Sequence, residues 1–174
     1  MRTKELCYSA LCAALLCVLA PISIPTGGVP ITLSLLAVLL VAGILPKRLA
    51  LPAVLCYVAL GAVGLPIFAG FIGGFQVLAG PTGGFIIGYI PAALVVSLFN
   101  KSAAKRVVSM VFATILCYIF GTFWLFITTS APFFPTLGTI ALTCAIPDAI
   151  KIVAATVLAD KLVHFLSHDK KRTK

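Results

Sequence analysis

Residues 137–166 read LGTIALTCAIPDAIKIVAATVLADKLVHFL, and the five residues PDAIK at 147–151 decide how the chain is read. The segment is long and apolar enough to be a helix crossing a membrane. Asp148 and Lys151 lie three residues apart in its middle, so on a helix they share one face. Each would cost roughly 2.5–3.5 kcal/mol at a bilayer centre on insertion scales. An acid and a base kept together at that depth predict a pair turned inward, away from lipid. One reading is an ion pair that only holds helices in register. The other is a ligand or ion path, which intramembrane charges usually mark.

Composition supports the membrane. The 174 residues are 61% apolar, the mean hydropathy is +1.20, and an ordinary soluble domain is only about half apolar. The formal charge is +9, from thirteen Lys and Arg against four Asp and Glu. In a membrane protein such an excess reports topology before it reports nucleic acid. Cys7, Cys12, Cys17, Cys56, Cys117 and Cys144 all lie in or beside apolar segments, without a C-x-x-C pair or a zinc-type spacing. They read as small apolar residues.

The chain divides into six apolar spans, at about 6–24, 30–45, 49–68, 83–99, 107–127 and 137–166. The expected fold is an all-α membrane protein, one domain over residues 1–174, built as a six-helix bundle. The second and fourth spans are short enough to end inside the protein, and the last is long enough to tilt or project into water. Arg2 and Lys4 precede the first span. Lys47 and Arg48 separate the second from the third, and Lys101, Lys105 and Arg106 the fourth from the fifth. Lys161, Lys170, Lys171, Arg172 and Lys174 end the chain, while the other three connections carry no charge. Positive residues stay inside, so both termini and the basic connections are expected in the cytoplasm. The first span also resembles a signal peptide. It continues past Ala20 without a cleavage pattern, so it is expected to be retained.

The neutral connections, at 20–32, 64–84 and 128–138, are rich in Gly and Pro yet strongly apolar. Apolar irregular backbone near a membrane must be buried in protein or line a cavity. All three are expected to be re-entrant or lid-like over the outer mouth of a binding cavity. Pro-Thr-Gly-Gly occurs twice, at 25–28 and 81–84, where glycine lets backbone amides approach an anion. Ala10 and Ala14, four apart in the first span, form a flat stripe for close helix contact.

The sequence has no phosphate-binding G-x-x-x-x-G-K-[ST], no H-E-x-x-H and no G-x-S-x-G. His164 and His168, beside Asp169, read as solvated tail residues. An enzyme, a metal centre and a catalytic residue are therefore not expected. What remains is a chamber in which Asp148 accepts from N–H donors and Lys151 donates to a carbonyl or carboxylate. Pro147 frees the Thr143 carbonyl one turn earlier. Gln76, Thr82, Thr32, Ser34, Tyr57, Tyr89 and Trp124 are the nearby polar candidates. Such a pocket suits a small amphipathic solute with an N–H donor and a carboxylate.

VPITL at 29–33, YVALGAVGLPIFAG at 57–70, GPTGGFIIGY at 80–89 and the D-x-x-K of Asp148 and Lys151 together resemble the BioY family. That family comprises the biotin-binding S components of energy-coupling-factor transporters. The resemblance implies six helices with both ends inside and biotin as ligand, with no cofactor. It implies a prokaryotic cytoplasmic membrane, and as partners a transmembrane coupling subunit and separate ATPases. It implies biotin contacts from Asp148 and Lys151, to which Gln76, Thr82, Gly83, Gly84 and Tyr89 are added as candidates, and a coupling-subunit contact through Ala10 and Ala14. The chain departs from the family pattern at Ser34, where Gln is frequent, and at Pro147, where Gly is usual. It also offers Gln76 without an Asn or Arg in the middle loop, so Lys151 and the Gly83 and Gly84 amides are the expected carboxylate partners. Two other functions fit the residues alone: a self-sufficient ion-coupled carrier with Asp148 as proton site, or carriage of another small carboxylate vitamin. A membrane scaffold using the Ala10/Ala14 stripe is a third.

Overall fold

The computed structural model describes residues 3–25, 30–100 and 102–172, with side-chain surroundings for 5–25, 30–100 and 102–163. Arg2, the first Pro-Thr-Gly-Gly copy beyond Pro25, Val29, Lys101, Lys174 and the side chains of Lys4, His164, His168 and Asp169 lie outside the described residues.

The described elements are α1 (Thr3–Leu19), a hairpin of β1 (Ser23–Ile24) and β2 (Ile31–Thr32), α2 (Ser34–Ile44), α3 (Lys47–Val63), α4 (Phe75–Ala79), α5 (Gly83–Phe99), α6 (Ala103–Thr129) and α7 (Phe133–Arg172). In the antiparallel hairpin Ser23 faces Thr32 and Ile24 faces Ile31.

Helix α2 is the centre. Its sequence, SLLAVLLVAGI, is apolar all round, and nine of its eleven residues are buried. A helix without a polar face has to be enclosed by others. It packs on α7 and α5, with further contacts to α1, α3 and α6. Eleven residues rise only about 16 Å, so α2 by itself is shorter than the ~30 Å of hydrocarbon and needs the residues flanking it to complete a crossing. Helix α5 packs along α6, and α1 along α3.

Helices α6 and α7 are long and apolar enough to cross a membrane. Their outward faces carry large apolar side chains. Val108, Phe112 and Phe123 are exposed on α6, and Leu142, Ile146, Ile150 and Val153 on α7. Leu142 is 82% exposed. A water-soluble protein does not present such continuous apolar faces, so their solvent is lipid.

Several boundaries differ from the expected spans. Helix α1 stops at Leu19 because the residue before Pro21 is pushed out of the helical region. Helix α2 starts at Ser34, not 30, because Ile31 and Thr32 belong to the hairpin. Helix α3 ends at Gly64, in the left-handed conformation (φ 117°), whose N–H bonds the Gly61 and Leu60 carbonyls. The middle loop contains α4, which no periodicity announced.

The third connection is not the lid expected from TTSAPFFPTLG. Residues 130–132 alone separate α6 from α7. Ser130 turns the chain in a left-handed conformation (φ 56°), and its N–H bonds the Phe126 carbonyl. Pro135 is the third residue of α7, in the first turn, where its missing N–H leaves no bond unmade. Pro147 does not interrupt α7 either.

A polar cluster closes the end of the bundle that carries the basic connections. Arg106, 5% exposed, pairs with Asp160 of α7. Its Nη2 donates to the Asn100 carbonyl at 3.2 Å. Asn100 Nδ2 in turn donates to the Leu45 carbonyl at 3.1 Å and the Ala42 carbonyl at 3.4 Å. Carbonyls at a helix C-terminus lack partners of their own. The cluster supplies two and ties α2 to α6 and α7.

The α5–α6 contact depends on Gly84. A Cβ there would lie 2.1 Å from Trp124 Cβ and 2.9 Å from the Phe120 carbonyl oxygen. Gly84→Ala is expected to destabilise the protein by about 1–3 kcal/mol, as overpacking does. Gly138 has open space around its Cβ direction. Gly138→Ala is expected to be neutral or stabilising by up to about 1 kcal/mol, since it lies within α7. Thermal unfolding of both variants in detergent checks the contrast.

Candidate ligand-binding site

Helix α7 turns one stripe inward: Ile140, Cys144, Asp148, Lys151, Ile152, Ala155 and Ala159 are buried. The three-and-four spacing is that of one helix face. Asp148 and Lys151 are therefore interior, at 5% and 8% exposure. Lys151 Nζ lies 2.6 Å from Asp148 Oδ1. The other carboxylate oxygen, Oδ2, accepts from the Tyr118 hydroxyl on α6. The carboxylate is thus held on both oxygens by partners on two helices.

These three side chains stand against a cavity of about 130 Å³. Its walls come from the hairpin and five helices, with none from the described residues of α1: Thr32 of the hairpin, Ser34 and Leu35 of α2, Tyr57 of α3, Phe85 and Tyr89 of α5, Cys117 of α6 and Cys144 of α7. The middle loop contributes Phe68, Ala69, Ile72, Val77 and Thr82. Away from Asp148 and Lys151 the lining is apolar or carries only neutral polar groups.

The loop segments that reach the cavity are fastened. The Phe68 ring meets Tyr57 edge-on, with centroids 5.6 Å apart. Gly70 N–H bonds the Pro21 carbonyl at 2.9 Å, joining the middle loop to the first. Ser34 Oγ donates to the Ala20 carbonyl at 3.1 Å, joining α2 to the end of α1.

Of the residues singled out in the sequence, the fold brings Asp148, Lys151, Thr82 and Tyr89 to the cavity, with Thr32, Ser34 and Tyr57. Gln76, Gly83 and Gly84 do not line it. Gln76 is exposed, because neighbouring helical residues point in different directions and α4 turns Val77 inward instead. The Gly83 amide is already donated to the Gly80 carbonyl at 3.0 Å. A Cβ on Gly83 would lie 1.8 Å from the Leu78 carbonyl oxygen. Both glycines serve close packing. Trp124 also stands outside the cavity, and its Nε1 donates to the Gly80 carbonyl at 3.0 Å, pinning the loop. Ala10 and Ala14 are exposed, on a side of α1 that flanks the stripe of buried Ala13 and Leu16.

Tyr118 carries no signal in the sequence. It is one of four tyrosines, in a segment with no charge of its own to attract attention. Only the packing of α6 against α7 reveals its partner. The partner of Asp160 is hidden for the same reason.

A helical membrane protein with a largely apolar cavity and a clamped acid–base pair at one side is the class these features define: a ligand-binding bundle. The chain belongs to the BioY family, whose model matches residues 1–168. It is 35% identical to the biotin transporter BioY2 of Lactococcus lactis over 175 residues, covering 98% of this chain and 96% of that one. It is 44% identical to the biotin transporter BioY of Thermotoga maritima over 123 residues, covering 69% and 73% of the two chains. Among solved structures, the S-component for biotin from an ECF-type ABC transporter superposes with a TM-score of 0.85 at 25% identity, covering 92% of this chain and 91% of that one.

The clamp makes a stability prediction. Removing one partner of a buried ion pair typically costs about 3–5 kcal/mol, because the other charge is left uncompensated. Asp148→Asn and Lys151→Met are each expected to lower thermal stability in detergent. The double variant should lie closer to the parent than either single one. Additive losses would show that the two charges do not compensate each other.

Proposed function

We propose that this chain captures biotin at the outer face of a prokaryotic cytoplasmic membrane, as the substrate-binding subunit of an energy-coupling-factor transporter. One observation carries the reading: Asp148, held by Lys151 and Tyr118, faces an otherwise apolar or neutral cavity. Its carboxylate oxygens keep lone pairs for ligand N–H groups. The ureido ring of biotin offers two such donors and a carbonyl that Lys151 can reach. Hydrogen bonds to charged groups contribute about 1.5–3 kcal/mol each. The apolar body of the ligand suits Phe68, Ile72 and Phe85.

In this reading the chain crosses the membrane six times with both termini in the cytoplasm. The hairpin and the middle loop cover the outer mouth. The exposed face of α1 with Ala10 and Ala14 is offered to a coupling subunit, and separate ATPases supply the energy.

Purified protein titrated with biotin should bind it. Asp148→Asn and Lys151→Ala should each weaken binding by about tenfold or more, the cost of losing a charged hydrogen bond. Either variant binding biotin with unchanged affinity would sink the site assignment. Uptake of labelled biotin in cells should need the coupling ATPases and resist an uncoupler. Uptake that persists without the ATPases and collapses with the uncoupler would point instead to an ion-coupled carrier.

A further inference from the structure

The chamber is charged at one end and neutral at the other. Twelve of the thirteen Lys and Arg residues precede or open α1, sit at the α2–α3 and α5–α6 connections, or lie at Lys161 and beyond. Among the described residues Lys151 is the one cation at the cavity, and it is already paired with Asp148. Helix α7 serves as a ruler. Ile140, on the same inward stripe, stands eight residues before Asp148, about 12 Å along the axis. Ile140 and Thr82 are also walls of a second cavity, of about 440 Å³, whose other walls include Leu125, Pro135, Thr136 and Thr139. The two cavities adjoin there, at the end of the bundle away from the basic connections. No side chain of the second cavity is charged. Two of its polar groups are already engaged: Thr136 N–H with the Pro132 carbonyl at 3.1 Å, and the Thr139 hydroxyl with the Pro135 carbonyl at 2.9 Å.

We infer that the site recognises the ring end of its ligand by charge and leaves the end of the tail unread, so that its ligand class includes biotin derivatives extended through an amide at the carboxyl group. The inference rests on biotin as ligand with its ureido ring at Asp148. A tail running from there along α7 passes Thr82 and Ile140 and reaches the second cavity. Among the described residues a carboxylate arriving there meets no cation, only threonine hydroxyls that serve an amide as well. An amide in place of the carboxylate has no charge to desolvate, and what extends beyond it has room in the outer cavity, which opens to solvent.

The test is competition against labelled biotin on the purified protein with three unlabelled probes: biotin, its primary amide, and biotin amide-linked to the side chain of lysine. The amide and the lysine conjugate are each expected to bind less than about tenfold more weakly than biotin, a smaller loss than removing a charged hydrogen bond gives. If biotin binds but the amide binds tenfold or more weakly, the carboxylate is read by charge and the inference falls. If biotin itself does not bind, the proposed function fails, and this inference with it. Thr139→Trp, at an exposed position, narrows the outer cavity. It should weaken the lysine conjugate about tenfold and biotin less than about threefold. Equal effects on both ligands, or none on the conjugate, would overturn the tail path.

Discussion

The carboxylate of Asp148 is the group around which the rest of the structure has to be arranged. In a low-dielectric interior a lone charge is among the most costly things a protein can bury. Here each oxygen has a partner, Lys151 one turn along the same helix and Tyr118 on the next. Pairing within α7 keeps the acid and base together whatever the other helices do. Tyr118 adds the tertiary half of the clamp, because it requires α6 to pack alongside. A satisfied pair can face an apolar cavity and still keep lone pairs for a ligand, which is why site and fold depend on the same contact.

The second requirement is that α7 keep its register. Its inward stripe passes from Ile140 at the cavity to Ala159 beside α2, while its outward face is given to lipid. At the basic end, Asp160 meets Arg106, and Asn100 bonds the last carbonyls of α2. The two polar clusters stand twelve residues apart on one helix, about 18 Å along its axis. Between them α2 fills the space with aliphatic side chains only. The polar groups thus fix how α6, α7 and α2 align, and the apolar contacts supply most of the burial.

The neutral loops divide the remaining work unequally. The described part of the first connection and the middle connection fold inward as cavity wall, held by a backbone bond between them and by the Trp124 and Phe68 anchors. The third is only a turn, and it sets the spacing of the two longest helices. Similar Gly/Pro composition therefore yields two structures. A proline in the first turn of a helix continues it, whereas the prolines at 21, 25 and 30 flank residues in extended backbone.

Local chemistry and one-dimensional order were enough for much of this protein. Hydropathy placed the two longest apolar helices, charge order separated the basic from the neutral connections, and the three-residue spacing put Asp148 and Lys151 on one face. A string of family-like motifs located the loops that wall the cavity. Which groups meet across elements was left to the packing of the folded chain. Tyr118 reaches Asp148, Arg106 reaches Asp160, and Gly83 and Gly84 pack against neighbours rather than baring their amides. Gln76 and Val77 are adjacent in the chain, yet only Val77 reaches the cavity. The physical reason is that a side chain's direction depends on the rotation of its helix about its axis. In segments apolar on every side, no polar stripe records that rotation. It is set by packing against partners that lie far away in the sequence.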